Sequence, residues 1–315
     1  MDLRQLRALV GVADHGSFSG AAEALHTVQS NVSTHVARLE RELRVTLWDR
    51  SQARLTPEGE AVVARARRIE AELEAAVADV AALRHEVVGT ARAGMIGTTA
   101  RWLVPRLLDL GAARHPGLRL EVSEGSSVAL EGPLLAGQLD LVVGAVLAPD
   151  ADVHFTPLFE EELVLVVPAN DPRATAGPIH LADLADVPML LPLPGTAFRA
   201  ELDRALAEAE VSLTVRAEVD GVRLLASLAF DGHGPAILPA SARPSYLADR
   251  WALVPIADLP PRRVGIARRR RGHQTVAGNA AAQLVNELTS PSAVLPEGLR
   301  ALPRTAPPHS PGPRS

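Results

Sequence analysis

The 315-residue chain contains no cysteine, which excludes disulfides, thiolate metal sites and a cysteine nucleophile. Lysine is missing as well: all 32 basic residues are arginine, a bias that a GC-rich genome would produce by itself. Against them stand 37 acidic residues, for a formal net charge of −5. That balance excludes a protein that coats nucleic acid over its whole surface, although it permits a locally basic reading face. No stretch reaches the ~18 apolar residues of a membrane span; the longest candidate is interrupted by Glu131 and Asp140. Met1-Asp2-Leu3-Arg4-Gln5 lacks the basic start and unbroken apolar run of a secretory signal, so a cytoplasmic location is expected. The ten histidines show no H-E-x-x-H or comparable spacing, so neither metal nor cofactor is expected. What the chain does have is a 47% hydrophobic, 22% charged composition, enough for a sizeable core, and a length of roughly two domains at ~150 residues each.

Four zones differ in period. Residues 1–57 carry short helical patterns, 58–88 one long helical pattern, and 92–290 strands alternating with helices. Residues 291–315 hold seven prolines and almost no apolar period, which predicts a disordered tail.

In the first zone Leu3, Leu6, Leu9, Val10 and Ala13 repeat at helical spacing up to a stop at Gly16. Ser17 is placed to cap a second helix carrying Phe18, Ala21, Ala22 and Leu25 inward. A third helix puts Val28, Val32, Val36, Leu39 and Leu43 on one side. Its opposite face carries Ser30, Thr34, Ala37, Arg38 and Arg41, flanked by Asn31 and Ser33. Two short helices around a tight turn, with a small polar outer face on the second, describe a helix-turn-helix; periodicity alone equally fits an ordinary three-helix bundle. No catalytic residue is assigned.

Thr56 is an N-cap candidate, with Pro57 and Glu58 in the first turn. Val62, Ala66, Ile69, Leu73, Ala76, Val80, Leu83 and Val87 then repeat at 4-3 spacing over more than three heptads, a coiled-coil seam on a helix roughly 45 Å long. Such a seam needs a partner. Further on, strands are expected at Ala93–Ile96, Leu118–Val122, Leu139–Ala145, Leu163–Val167, Met189–Leu193, Thr214–Val219, Ala236–Leu238 and Val264–Ala267, with a last helix near Thr275–Leu288. Alternation of this kind indicates parallel sheets with ligands at the strand C-terminal ends. Hydroxyls stand at three expected helix starts: Thr98 and Thr99, Ser126 and Ser127, and Thr196. Free amides and the helix dipole there suit a carboxylate or phosphate, so a small anionic ligand is expected, although each hydroxyl alone also fits a cap. Arg101 and Arg199 lie close in sequence and would add charge. The run Arg268–Arg271 fits a solvated face better than a second DNA contact.

The run from Phe18 to Ser33, continued by Leu39-Glu40, Leu43, Leu47, Arg50 and Leu55-Thr56-Pro57-Glu58-Gly59, resembles the winged helix-turn-helix of LysR-type transcriptional regulators. The resemblance extends over about 1–290 through Pro105, His115-Pro116, Gly137-Gln138-Leu139-Asp140 and Gly232-His233-Gly234. The wing, Ser51-Gln52-Ala53-Arg54, is shorter than many in the family. The resemblance implies an α plus α/β fold: a winged helix-turn-helix over 1–57, a dimerising linker helix and hinge over 58–91, and a two-lobed, periplasmic-binding-protein-like effector domain over 92–290. Its lobes would be 92–162 plus 268–290, and 163–267, with crossovers near Glu161–Val164 and Gly265–Arg268. The implied function is a regulator that reads double-stranded promoter DNA in response to a small metabolite, as a homodimer or a tetramer of dimers. RNA polymerase stays open as a further partner.

DNA contacts then fall to Gln29, Ser30, Asn31, Ser33 and Thr34 at base edges, to Arg38 and Arg50 at phosphates, to His35 at the flank and to Arg54 in the wing. Effector contacts fall to Thr98, Thr99, Ser126, Ser127 and Thr196, with Phe198 and Val222 at wall positions. Dimerisation falls to Val62, Ile69, Leu73, Val80, Leu83 and Val87. A binding protein whose N-terminal bundle only mediates assembly is the alternative from another class.

Overall fold

The computed structural model describes residues 1–82, 86–145, 152–270 and 274–303. The chain divides into two compact units: Met1–Arg84 with 136–138, and the remainder.

In the first unit, Asp2 starts helix α1 (Leu3–His15) by accepting from the Gln5 amide at 2.9 Å, while its own amide donates to the Gln5 side chain. Gly16 ends the helix at φ +63°, a conformation that costs a residue with a Cβ ~1 kcal/mol or more. Ser17 then caps α2 (Phe18–Ala24), accepting from the Gly20 amide at 3.0 Å. Ala21 and Ala22 are buried, small enough to let the helices close on one another. α3 (Gln29–Leu43) buries Val32, Val36 and Leu39 against Leu6, Leu9 and Val12. The wing is a two-stranded ribbon, β1 (Trp48–Asp49) and β2 (Arg54–Leu55). It is fixed to α3 by Glu40, whose carboxylate accepts from the Leu47 and Trp48 amides.

Thr56 caps α4 (Pro57–Ala82), accepting from the Gly59 amide at 3.0 Å. Val63 and Ala66 sit in the core of the same unit with Val62 packed against them, so the start of the seam is already used. Farther along, Ile69, Leu73, Val77 and Val80 are exposed. Leu83 lies outside the described residues. The expected helical run does not reach Val87: residues 86 and 87 are non-helical and Val88 begins a strand. Val88 pairs with Gly117, and that ladder outweighs the local heptad spacing.

The second unit has two lobes. The first is a six-stranded sheet in the order β13-β6-β12-β5-β3-β4, built from β3 (Val88–Met95), β4 (Gly117–Glu124), β5 (Leu141–Ala145), β6 (Val153–Glu161), β12 (Arg262–Arg269) and β13 (Leu299–Ala301). The second has the order β11-β7-β10-β8-β9, from β7 (Leu163–Pro168), β8 (Met189–Pro192), β9 (Val215–Val219), β10 (Ala236–Pro239) and β11 (Trp251–Pro255). Helices α5 (Gly97–Arg114), α6 (Ser127–Leu135) and α9 (Val276–Leu288) belong to the first lobe, and α7 (Ala197–Glu208) and α8 (Val222–Phe230) to the second.

Three expectations need correction. The sheets are mixed rather than parallel: β12 runs antiparallel to β5 and β6, and β7 antiparallel to β10 and β11. The outward crossover lies at Glu162, between β6 and β7, but the return lies before Arg262, not at Gly265–Arg268. Pro260 and Pro261 break the chain there, and Arg262 through Arg269 pair with β6 along their whole length. Finally, residues 291–303 of the expected disordered tail are ordered. Leu299–Ala301 add an edge strand to β6, and Leu295 and Leu299 pack on the core. An edge strand of three residues rests on backbone pairing, so it leaves no period in the sequence.

Candidate functional sites

On the first unit the outward face of α3 presents Gln29, Ser30, Asn31, Thr34 and Arg38 to solvent, with Ser33 half-buried beside them. No side chain caps the start of this helix, so its first amides are open to an acceptor. The Thr34 hydroxyl donates back to the Ser30 carbonyl at 2.8 Å, and Asn31 donates to Thr27 Oγ1 at 3.1 Å. Arg50, from the foot of the wing, lies over the Phe18 ring at 5.2 Å and reaches Ser33 Oγ at 3.4 Å. Phe18 in turn meets Trp48 edge-on, so the exposed guanidinium rests at the edge of the α3 face on a ring that Trp48 backs. His35 is half-buried with Nδ1 enclosed and unbonded, which keeps it off the outer face. Arg54 is exposed on β2. In the turn between the strands, Asp49 accepts from the Ser51 hydroxyl and from the Ser51 and Gln52 amides. The Ser51 hydroxyl bond is the main reason its carboxyl stays below the usual range.

The second unit holds a cleft of about 750 Å³ between its lobes. Four helices begin on it: α5 at Gly97 and Thr98, α6 at Ser127, α7 at Ala197, and α8 at Val222. Ser126 caps α6 by accepting from the Ala129 amide at 3.2 Å. Thr196 caps α7, accepting from the Arg199 amide and donating to the Leu193 carbonyl. The starts of α5 and α8 have no side-chain cap. At α8 the turn is made by Gly221 at φ +83°, a residue with no side chain to cap the amides after it. Four positive helix ends therefore meet at one cavity, two of them without a side-chain cap.

Six of the seven expected effector residues line this cleft: Thr98, Ser126, Ser127, Thr196, Phe198 and Val222. Thr99 does not. It is fully buried on the core side of α5, with an unbonded hydroxyl, because one step along a helix turns a side chain by ~100°. The two arginines singled out from the sequence are elsewhere. Arg101 donates to the Ser241 carbonyl, and Arg199 is spent on Asp203, Glu218 and the Pro192 carbonyl. The cleft's own charges are Arg204, Arg223, Arg262 and Arg263 against Glu124, Glu131, Glu201 and Asp220. Burial pushes the Glu201 carboxyl above its usual value, against the pull of Arg262 and Arg204. Phe198, Glu201 and Arg204 recur every third residue of α7, a signal available in the sequence. Arg262 escapes the sequence reading because that reading puts the return crossover at Gly265–Arg268, after the residue that opens β12. Arg268 lies on β12 and bonds Gln274 and Asn279, part of the fold rather than of a DNA face. Among the described residues no cluster of His, Asp or Glu suits a metal ion, and no helix is long and apolar enough to cross a membrane.

Comparison with known proteins settles what kind of molecule carries these two sites. Residues 3–60 match the model of the bacterial regulatory helix-turn-helix protein, lysR family, and residues 84–290 that of the LysR substrate binding domain. The chain belongs to the LysR family of transcriptional regulators. Its LysR relatives include a probable hydrogen peroxide-inducible genes activator of Streptomyces viridosporus, 34% identical over 96% of this chain and 95% of that one. The nitrogen assimilation regulatory protein Nac of Klebsiella aerogenes is 32% identical over 80% of this chain and 83% of its own. Among solved structures, a full-length OxyR variant from Pseudomonas aeruginosa matches with a TM-score of 0.72 and 27% identity, covering 97% of this chain and 99% of that chain. Full-length CbnR complexed with its target DNA shares the fold at a TM-score of 0.69 and 23% identity, over 91% of this chain and 99% of that one. These families and relatives are DNA-binding regulators with effector domains, not enzymes.

Proposed function

We propose that this regulator reads promoter DNA with the outer face of α3 and the wing, and responds to a small anionic metabolite, a carboxylate, held in the cleft of its second unit. The observation that carries the effector class is the meeting of four helix starts on one cavity, two of them without a side-chain cap. Gln29, Ser30, Asn31, Ser33 and Thr34 approach base edges, and Arg38, Arg50 and Arg54 approach phosphates. Thr98, Ser126 and Ser127 supply hydroxyls to the ligand, Phe198 and Val222 its apolar walls. Ile69, Leu73 and Val80 pair with a second copy of the chain, and the pairs assemble into tetramers in the cytoplasm. RNA polymerase stays a proposed partner without an assigned surface.

The names of several relatives point to hydrogen peroxide. A chain with no cysteine offers peroxide no thiol to oxidise, so that stimulus does not transfer through thiol chemistry. The test is a calorimetric screen of small carboxylates against the full chain, repeated with Thr98→Val/Ser126→Ala. The reading expects a binder that the double variant holds markedly more weakly. A cationic effector, or one bound equally by the double variant, would count against it.

A further inference from the structure

One buried charge pair stands where the lobes join. Glu161 ends β6 and is fully buried; Arg262 opens β12 directly opposite it, with a side chain only 9% exposed. Arg262 Nε donates to Glu161 Oε2 at 2.8 Å, and Nη2 lies 2.7 Å from the same oxygen as an ion pair. The other carboxylate oxygen accepts from the Ser241 amide at 3.0 Å, in the 3₁₀ turn Ala240–Ala242 of the second lobe. Arg262 Nη2 also donates to Thr98 Oγ1 at 3.2 Å, at the start of α5 in the first lobe. Its guanidinium lies 5.9 Å from the centre of the Phe198 ring, on α7 of the second lobe. One guanidinium thus touches cleft walls from both lobes together with the carboxylate that pins the second lobe's backbone. Taking such a pair out of water costs about as much as its attraction returns, so it is a poor source of stability. What it supplies is a fixed geometry beside the two crossovers, at Glu162 and before Arg262, that pass between the lobes.

We propose that Glu161 and Arg262 form a lock that sets the angle between the lobes, with Thr98 linking the lock to the cleft. A ligand that engages the Thr98 hydroxyl then acts on the lock itself; that last step rests on the cleft's being the effector site, whereas the lock does not.

The test needs no effector, so failure of the lock and failure of the effector reading are seen separately. Because the chain has no native cysteine, two spin labels can be placed without background, at Leu108→Cys on α5 and Glu208→Cys on α7, both exposed. Labelled full-length chains are diluted with unlabelled subunits so that each oligomer carries one labelled chain, and pulsed electron resonance reads the inter-lobe distance. Two variants are compared: Glu161→Leu/Arg262→Met, which replaces the pair by apolar groups of similar volume, and Arg262→Lys, which keeps the charge but loses the fork. The lock predicts that both broaden the distance distribution about twofold, as an ensemble released from one state, and that Thr98→Val, which cuts only the link to the cleft, broadens it less. Distributions as narrow as the unaltered chain's in both variants overturn the lock, as does equal broadening by Thr98→Val. A readout free of substitution supports them: the Ser241 amide of the unaltered chain exchanges slowly, and exchange at the rate of an open loop overturns the proposal.

Discussion

The two units place function in opposite ways. In the first, the proposed base-reading residues all lie on one helix, Gln29, Ser30, Asn31, Ser33 and Thr34 being close in sequence as they are on the surface, with Arg50 and Arg54 added from the wing. In the second, the cleft is assembled from four helix starts and a returning strand spread over residues 96–263. A face on one helix can be changed position by position. A cleft built from many starts shares its load, and no single side chain should carry it.

The largest expected effect lies on the stripe of α4 that leaves the first unit's core. Ile69, Leu73, Val77 and Val80 are 37%, 40%, 70% and 60% exposed in the single chain, against the complete burial of Ala66 one turn earlier. Leu73→Asp/Val80→Asp would bury unpaired charge in a pairing seam. Sedimentation should show the oligomer replaced by monomer; an unaltered chain that is already monomeric at micromolar concentration would break this part of the account.

Next comes Arg50→Ala. It should weaken binding to all DNA sequences alike and lower the salt dependence by about one counterion, measured by fluorescence anisotropy across a salt series. A change in sequence preference instead would move Arg50 from phosphate to base.

The shared load of the cleft predicts something smaller. Thr98→Val removes one buried hydroxyl among several donors, and should cost effector binding only about 0.5–1.5 kcal/mol by calorimetry. Complete loss would mean that one residue dominates, which would erase the contrast between the units.

The smallest effect is on the second lobe. His180 Nδ1 lies 3.0 Å from Asp258 Oδ1, and that hydrogen bond raises the imidazole above its ordinary value. The charged form is favoured in the folded chain, so the contribution is fully present below about pH 6.5 and is lost as pH rises through the raised value. A proton resonance titration should find the His180 midpoint above the ordinary one, and Asp258→Asn should return it.

The same contrast explains what could be read from the sequence. Caps such as Ser17 and Thr56, the stop at Gly16 and the middle of the buried face of α3 are local, so spacing locates them; Val28 and Leu43, at the ends of that face, are exposed. The helix starts at Thr98, Ser126 and Thr196 were local for the same reason, and all three reach the cleft. Arg262, Glu161 and Glu201 meet only because distant strands and helices pack together, and no period records that. Thr99 shows the converse, a hydroxyl of the right kind one residue out of phase. The C-terminal strand Leu299–Ala301 was hidden because a proline-rich stretch can still supply three backbone pairs to an open edge.

The most direct test of the central claim is a footprint on the regulator's promoter fragment with the unaltered chain and with Gln29→Ala/Ser33→Ala/Thr34→Ala. The account predicts that the folded triple variant loses the specific footprint but keeps weak, salt-sensitive binding through its arginines. An unchanged footprint would contradict the assignment of α3 as the reading helix.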